Sequence, residues 1–191
     1  VKEEDYKFNL LQVKNALTEM AESYPLLPGL VYTSPYDFLL QHGKDYRPSE
    51  FKGELRTQKE CYANSIICCV FHKYRYIEGI TLAPDGQLLM HAWNIKSDGT
   101  LHDSTWANTG LVYIGVEFSV ERADDATWNG DACVLNDEHR DYPIFHQRWV
   151  GENYNLIWPQ SDRIDALHAA TRTGQYIPPP SVTEWLEQKK V

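Results

Sequence analysis

The pairs Asp85-Gly86 and Asp98-Gly99 constrain this chain more than any other feature, because each divides stretches rich in β-branched and aromatic residues. Glycine after aspartate supplies the positive φ that a tight hairpin turn demands. "YRYIEGITLA" at about 74–83, "LLMHAWNI" at about 88–95 and "TLHDSTW" at about 100–106 therefore read as consecutive antiparallel strands. "LVYIGVEFSV" at about 111–120 adds a fourth.

Helical patterns flank these strands. Phe8, Leu10, Leu11, Val13, Leu17, Met20 and Ala21 recur at helical spacing, which predicts an amphipathic helix over about 5–23 that stops before Pro25. "SPYDFLLQHG" predicts a short second helix, with Ser34 as N-cap, Pro35 at the first helical position, Asp37 in the first turn and Gly43 past the end. "KDYRPSEFKGELR" is polar and turn-like. Thr57 and Glu60 have capping-box spacing ahead of Ile66, Ile67, Val70 and Phe71, which predicts a third helix over about 58–73 with Cys61 in its first turn. Residues 121–138 read as a long surface loop, and capped helical patterns begin near Ser161 and Ser181. The expected fold is α+β, with a mostly antiparallel sheet and flanking helices in a single domain over 1–191. Its parts are an N-terminal helical segment (1–56), a central helix and sheet (57–120), and the long loop with C-terminal helices (121–191).

A net charge of −9 over 191 residues argues against nucleic acid as a partner, since phosphate binding needs clustered Lys and Arg. No apolar run reaches the roughly 18 residues of a membrane span, and "VKEEDYKFNL" is acidic where a signal peptide is basic and then apolar. Four cysteines, two of them adjacent at Cys68 and Cys69, form no disulfide framework and no C-x-x-C pair. A reducing, cytoplasmic location is expected.

Cys61, His91 and Asp103 follow one another along the chain. If Ser97 to Gly99 form a three-residue hairpin loop with Gly99 left-handed, Lys96 lies opposite Thr100 and Trp93 opposite Asp103, so His91 and Asp103 share a face. A two-residue Asp98-Gly99 turn would place them on opposite faces. Such a set suits acyl transfer. A helix N-terminus favours a thiolate, an imidazole moves the proton, and a carboxylate fixes the imidazole's tautomer. Backbone N–H groups of the helix start, with the amide of Gln58, are the candidate oxyanion donors.

"ECYANS" opening a helix, "HAWN" on a strand and "LHDSTW" closing a hairpin together resemble the transglutaminase-like superfamily of papain-like cysteine enzymes. The resemblance spans about residues 57–106. It implies a nucleophile helix packed on the sheet, with Cys61 as nucleophile, His91 as base and Asp103 as orienting carboxylate. Trp93 would pack beside the site as a substrate-side residue. The implied reaction attacks a peptide or carboxamide carbonyl through a thioester: water as acceptor makes a hydrolase, an amine makes a transferase. The expected partner is a peptide, protein or amide-containing substrate, and no cofactor is expected. The alternative is a non-catalytic binding or inhibitory protein on the same scaffold.

Other residues invite separate readings. Cys68 and Cys69 belong to the apolar body of the third helix and read as core, whereas Cys133 in the polar loop reads as an exposed thiol. His102 adjoins Asp103, but strand alternation points the two to opposite faces. His91, His102 and Asp103, or His139 and His146, lack a recognisable metal-ligand spacing. Trp128 is the loop aromatic placed to touch a ligand, and Glu121, Asp124, Asp125 and Asp131 lack the alternation of a calcium loop.

Overall fold

The computed structural model of the chain describes residues 2–26, 31–120, 122–123 and 133–135. Among the described residues three helices pack with a five-stranded antiparallel sheet, an α+β arrangement. The C-terminal helical patterns, Trp128, His139 and His146 lie outside the described residues.

Helix α1 spans Glu3–Glu22 and begins with Glu3, Glu4 and Asp5, whose charges suit the positive end of the helix dipole. Its buried stripe is Tyr6, Val13, Leu17 and Ala21. Phe8 and Leu11, expected in that stripe, are 62% and 57% exposed. Tyr6 anchors the helix in their place, because its hydroxyl donates to Asp45 Oδ2 at 3.0 Å while its ring enters the core. Helix α2, Pro35–His42, starts as expected: Ser34 Oγ accepts the Asp37 N–H, and Pro35 takes a position whose missing N–H costs nothing.

Strand β1, Lys44–Tyr46, lies in the segment expected to be turn-like. It is too short to show an alternating pattern, and pairing with another strand makes it a strand. Helix α3 is Cys61–His72, followed by β2 (Arg75–Leu82), β3 (Leu88–Ile95), β4 (Leu101–His102) and β5 (Val112–Phe118). The strand order is β1-β5-β2-β3-β4, with every pairing antiparallel.

The sheet buries both faces. Tyr76, Ile80, Ala92, Ile114, Val116 and Phe118 join Val13 and Leu17 of α1, Phe38 and Leu39 of α2 and Cys69 of α3 in one core. On the other face Ile77, Trp93, Ile95, Leu101 and Tyr113 form a second cluster, against which Tyr46 packs. Gly115 lies beneath the Trp93 indole, where a Cβ would stand 2.6 Å from Trp93 Cη2 and 2.6 Å from the Glu78 carbonyl oxygen. Among the described residues no helix is long and apolar enough to cross a membrane.

Candidate active site

The capping box expected at Thr57 and Glu60 does not form. Glu60 occupies the N-cap position of α3 without a side-chain cap, and Lys59 has a φ of 66°, a left-handed conformation that keeps the helix from starting earlier. Cys61 is therefore the first helical residue. The first ladder bond runs from Asn64 N–H to the Glu60 carbonyl at 2.8 Å, so the N–H groups of Cys61, Tyr62 and Ala63 precede the ladder. Asn64, 3% exposed, donates to the Thr57 carbonyl at 2.7 Å and to Thr105 Oγ1 at 3.0 Å. One buried amide thus ties the helix start both to the chain before it and to the turn after β4.

Gly99 has a φ of 85°, its N–H reaches the Lys96 carbonyl at 3.0 Å, and Lys96 N–H reaches the Thr100 carbonyl at 2.9 Å. This is the three-residue loop. Asn94 lies opposite His102 and Ile95 opposite Leu101, and the same register carries Asp103 to the level of Trp93. His91 Nε2 donates to Asp103 Oδ2 at 2.8 Å, with both side chains almost wholly buried.

With Nε2 engaged by Asp103, Nδ1 is the ring nitrogen left to interact with the Cys61 thiol, which lies close enough to act on the imidazole. Burial alone would push the imidazole down, but the hydrogen bonds and charges of Asp103 and Cys61 outweigh it and raise His91 to about 9. Cys61 itself is 9% exposed.

Asp103 is held as tightly as it holds. Its Oδ1 accepts the N–H groups of Thr105 and Trp106, both at 3.0 Å, while Oδ2 also accepts the Tyr113 hydroxyl at 3.0 Å. The Asp103 N–H donates to Asn108 Oδ1 at 2.6 Å, and Asn108 Nδ2 reaches the carbonyls of Ser49 and Leu101. Ala107 and Asn108 both have positive φ, and this amide clamp holds the tight turn that the two residues make.

No known family, curated protein or solved structure matches this chain. What the arrangement can do must come from its own geometry.

The other expected residues fall out as follows. Gln58 is exposed in the turn before α3 and makes no hydrogen bond with the described residues, so its amide is not positioned by the fold. Trp93 is fully buried, with its ring 6.3 Å from His91 and 5.1 Å from Tyr113 between centroids, so it packs behind the histidine rather than facing a substrate. His102 points away from Asp103, stacks on Phe51 at 5.2 Å and leaves Nδ1 without a hydrogen-bond partner among the described residues. Burial, then the charge of Lys96, lowers His102 to about 4.

Cys68 and Cys69 are core residues. Cys133 is buried rather than exposed, hydrogen-bonded to Tyr62, the residue after Cys61. Its segment is held down by Glu78, a wholly buried carboxylate that accepts the N–H groups of Val134 and Leu135 and the Tyr76 hydroxyl. Among the described residues no group of three or more His, Cys, Asp or Glu side chains is placed to hold a metal ion.

Three contributors were missed in the sequence. Trp106 stacks on His91 with centroids 4.3 Å apart, Tyr113 shares Asp103, and Asn64 joins the helix start to the Asp103 turn. Trp106 carried a signal in standing three residues after Asp103, on the same tight turn.

Proposed function

We propose that the protein is a cysteine hydrolase of transglutaminase-like type, acting on a peptide or carboxamide carbonyl. The observation that supports this most is the buried His91–Asp103 pair with the Cys61 thiol, on the first residue of a helix, beside the same imidazole. In the proposed reaction the thiol proton already resides on His91 Nδ1, as the raised imidazole favours, and the Cys61 Sγ bonds to the carbonyl carbon. The carbonyl oxygen becomes an oxyanion that the N–H groups of the helix start stabilise. Collapse of this adduct breaks the C–N bond, and Nδ1–H gives its proton to the departing amine. Water then attacks the thioester, His91 takes its proton, and the carboxylic acid and free thiol are released. Asp103 keeps Nε2–H engaged throughout and stabilises the imidazolium.

The burial of Cys61 favours a second reading, a binding protein whose triad serves structure. Reaction with p-nitrophenyl acetate separates the two. The enzyme reading expects an acetyl group on Cys61 by peptide mass spectrometry, a burst of one nitrophenolate per chain followed by turnover, and at least tenfold slower acylation in His91→Ala. Acylation of Cys61 at the same rate in both proteins, or none at all, would favour the binding reading.

A further inference from the structure

A carboxylate offers about two acceptor positions on each oxygen. On Asp103 Oδ1 both are filled by the Thr105 and Trp106 N–H groups, which belong to the same turn and arrive with it. Oδ2 is shared between His91 Nε2 at 2.8 Å and a group that arrives on another strand, the Tyr113 hydroxyl at 3.0 Å. Tyr113 stands on β5, which is separated from β3 by β2 in the sheet.

The direction of the phenolic hydrogen is fixed by its other neighbour. Gly110 N–H donates to the Tyr113 oxygen at 3.0 Å, which leaves the hydroxyl's own hydrogen for Asp103. Only glycine permits this approach, because a Cβ at 110 would come within 2.7 Å of the Tyr113 ring. The ring is fully buried and lies edge-on to Trp93. Burial, and after it the negative charge of Asp103, keeps Tyr113 well above the ordinary tyrosine range, so it donates at every working pH.

We infer that Tyr113 is a positioning residue: by sharing Oδ2 it sets how strongly Asp103 holds His91, and through His91 how readily a proton passes to and from Cys61. The inference rests on the triad proposed above. A carboxylate with four donors has its charge spread among them, and removing one concentrates the field on those that remain. Tyr113→Phe therefore tightens the hold on the imidazolium. The other titratable group facing His91 is Cys61 from α3, while His102 of β4 is the neighbouring titratable group that feels Asp103 by charge alone.

The test is an NMR titration of the whole chain with ¹⁵N-labelled histidine, the His91 signals being assigned by their loss in His91→Gln. The expected result is a His91 midpoint raised by about half a pH unit or more in Tyr113→Phe, the direction that follows from removing a donor to its carboxylate. Difluorotyrosine installed at position 113, a more acidic phenol and a stronger donor, should lower the midpoint. An unchanged or lowered midpoint in Tyr113→Phe, or shifts of the same sign in both proteins, would overturn the inference. If Tyr113→Phe does not fold, the fluorinated protein decides alone: a lowered midpoint supports the inference and any other result overturns it. Because this titration needs no substrate, inert Cys61 in the acylation assay refutes the enzyme reading without moving the His91 midpoints.

Discussion

Replacing Asp103 with asparagine should change how stability depends on pH, and the size of the change follows from His91. An ordinary histidine titrates near 6.5, whereas His91 is raised to about 9 against the opposing effect of burial. At 1.36 kcal/mol per pH unit the difference amounts to about 3 kcal/mol of preference for the protonated imidazole in the folded chain. A group raised in this way contributes stability that is fully present below its unfolded value of about 6.5 and is lost as pH rises through about 9. Wild-type protein should therefore lose about 3 kcal/mol from this histidine between roughly pH 6 and pH 9.5.

In Asp103→Asn the neutral amide cannot hold the imidazolium, and burial, the largest influence on His91, then favours the neutral ring. The variant starts less stable at pH 6, because the carboxylate's four hydrogen bonds are disrupted, but its loss on raising the pH should fall below about 1 kcal/mol. Urea unfolding of both proteins at the two pH values measures the difference, and other titrating groups cancel in the comparison. Parallel pH profiles would refute the assignment of the raised imidazole to Asp103.

Two further substitutions probe the surroundings. His102 is lowered to about 4, so it contributes stability present above about 6.5 and lost as pH falls through 4; His102→Phe keeps the stack on Phe51, and thermal unfolding between pH 7 and 4 should show a flatter acid limb than wild type, parallel limbs being the contrary result. Gly115→Ala puts a Cβ against Trp93 and the Glu78 carbonyl and should cost about 2 kcal/mol with a shift in tryptophan emission; a urea midpoint within error of wild type would show that the indole can move aside.

The hairpins were legible because their signals are local. Strand β3 occupies Leu88–Ile95, the bounds its sequence suggests, and Gly99 adopts the conformation its position after Asp98 demands. The start of α3 was displaced because the capping pattern at Thr57 and Glu60 carries no information about the backbone of Lys59 between them. Strand β1 could not be read, since three polar residues become a strand only through the hydrogen bonds β5 offers. Tyr113 looked like any buried aromatic. Its link to Asp103 arises from the placing of β5 beside β2, a long-range pairing that no spacing in the sequence encodes.

Turn length, rather than the reacting residues themselves, decides which groups meet His91. With the loop closed by Gly99, the pairs Ile95–Leu101 and Asn94–His102 bring Asp103 level with Trp93, and alternate residues back from Trp93 place His91 on the same side. One residue fewer in the loop would reverse the parity of everything after it. His102 would then turn toward His91, and two imidazoles cannot stabilise each other's cations as a carboxylate does. The Asp103 turn is then held to β4 and to the segment before α3 by Asn108, whose amide binds the Asp103 N–H and the Ser49 and Leu101 carbonyls. The loop thus selects the face, the Asn108 clamp sets the reach of the carboxylate, and Asn64 brings the helix start to the same turn, so the geometry at the thiol depends on three local devices, none of which contains a reacting atom.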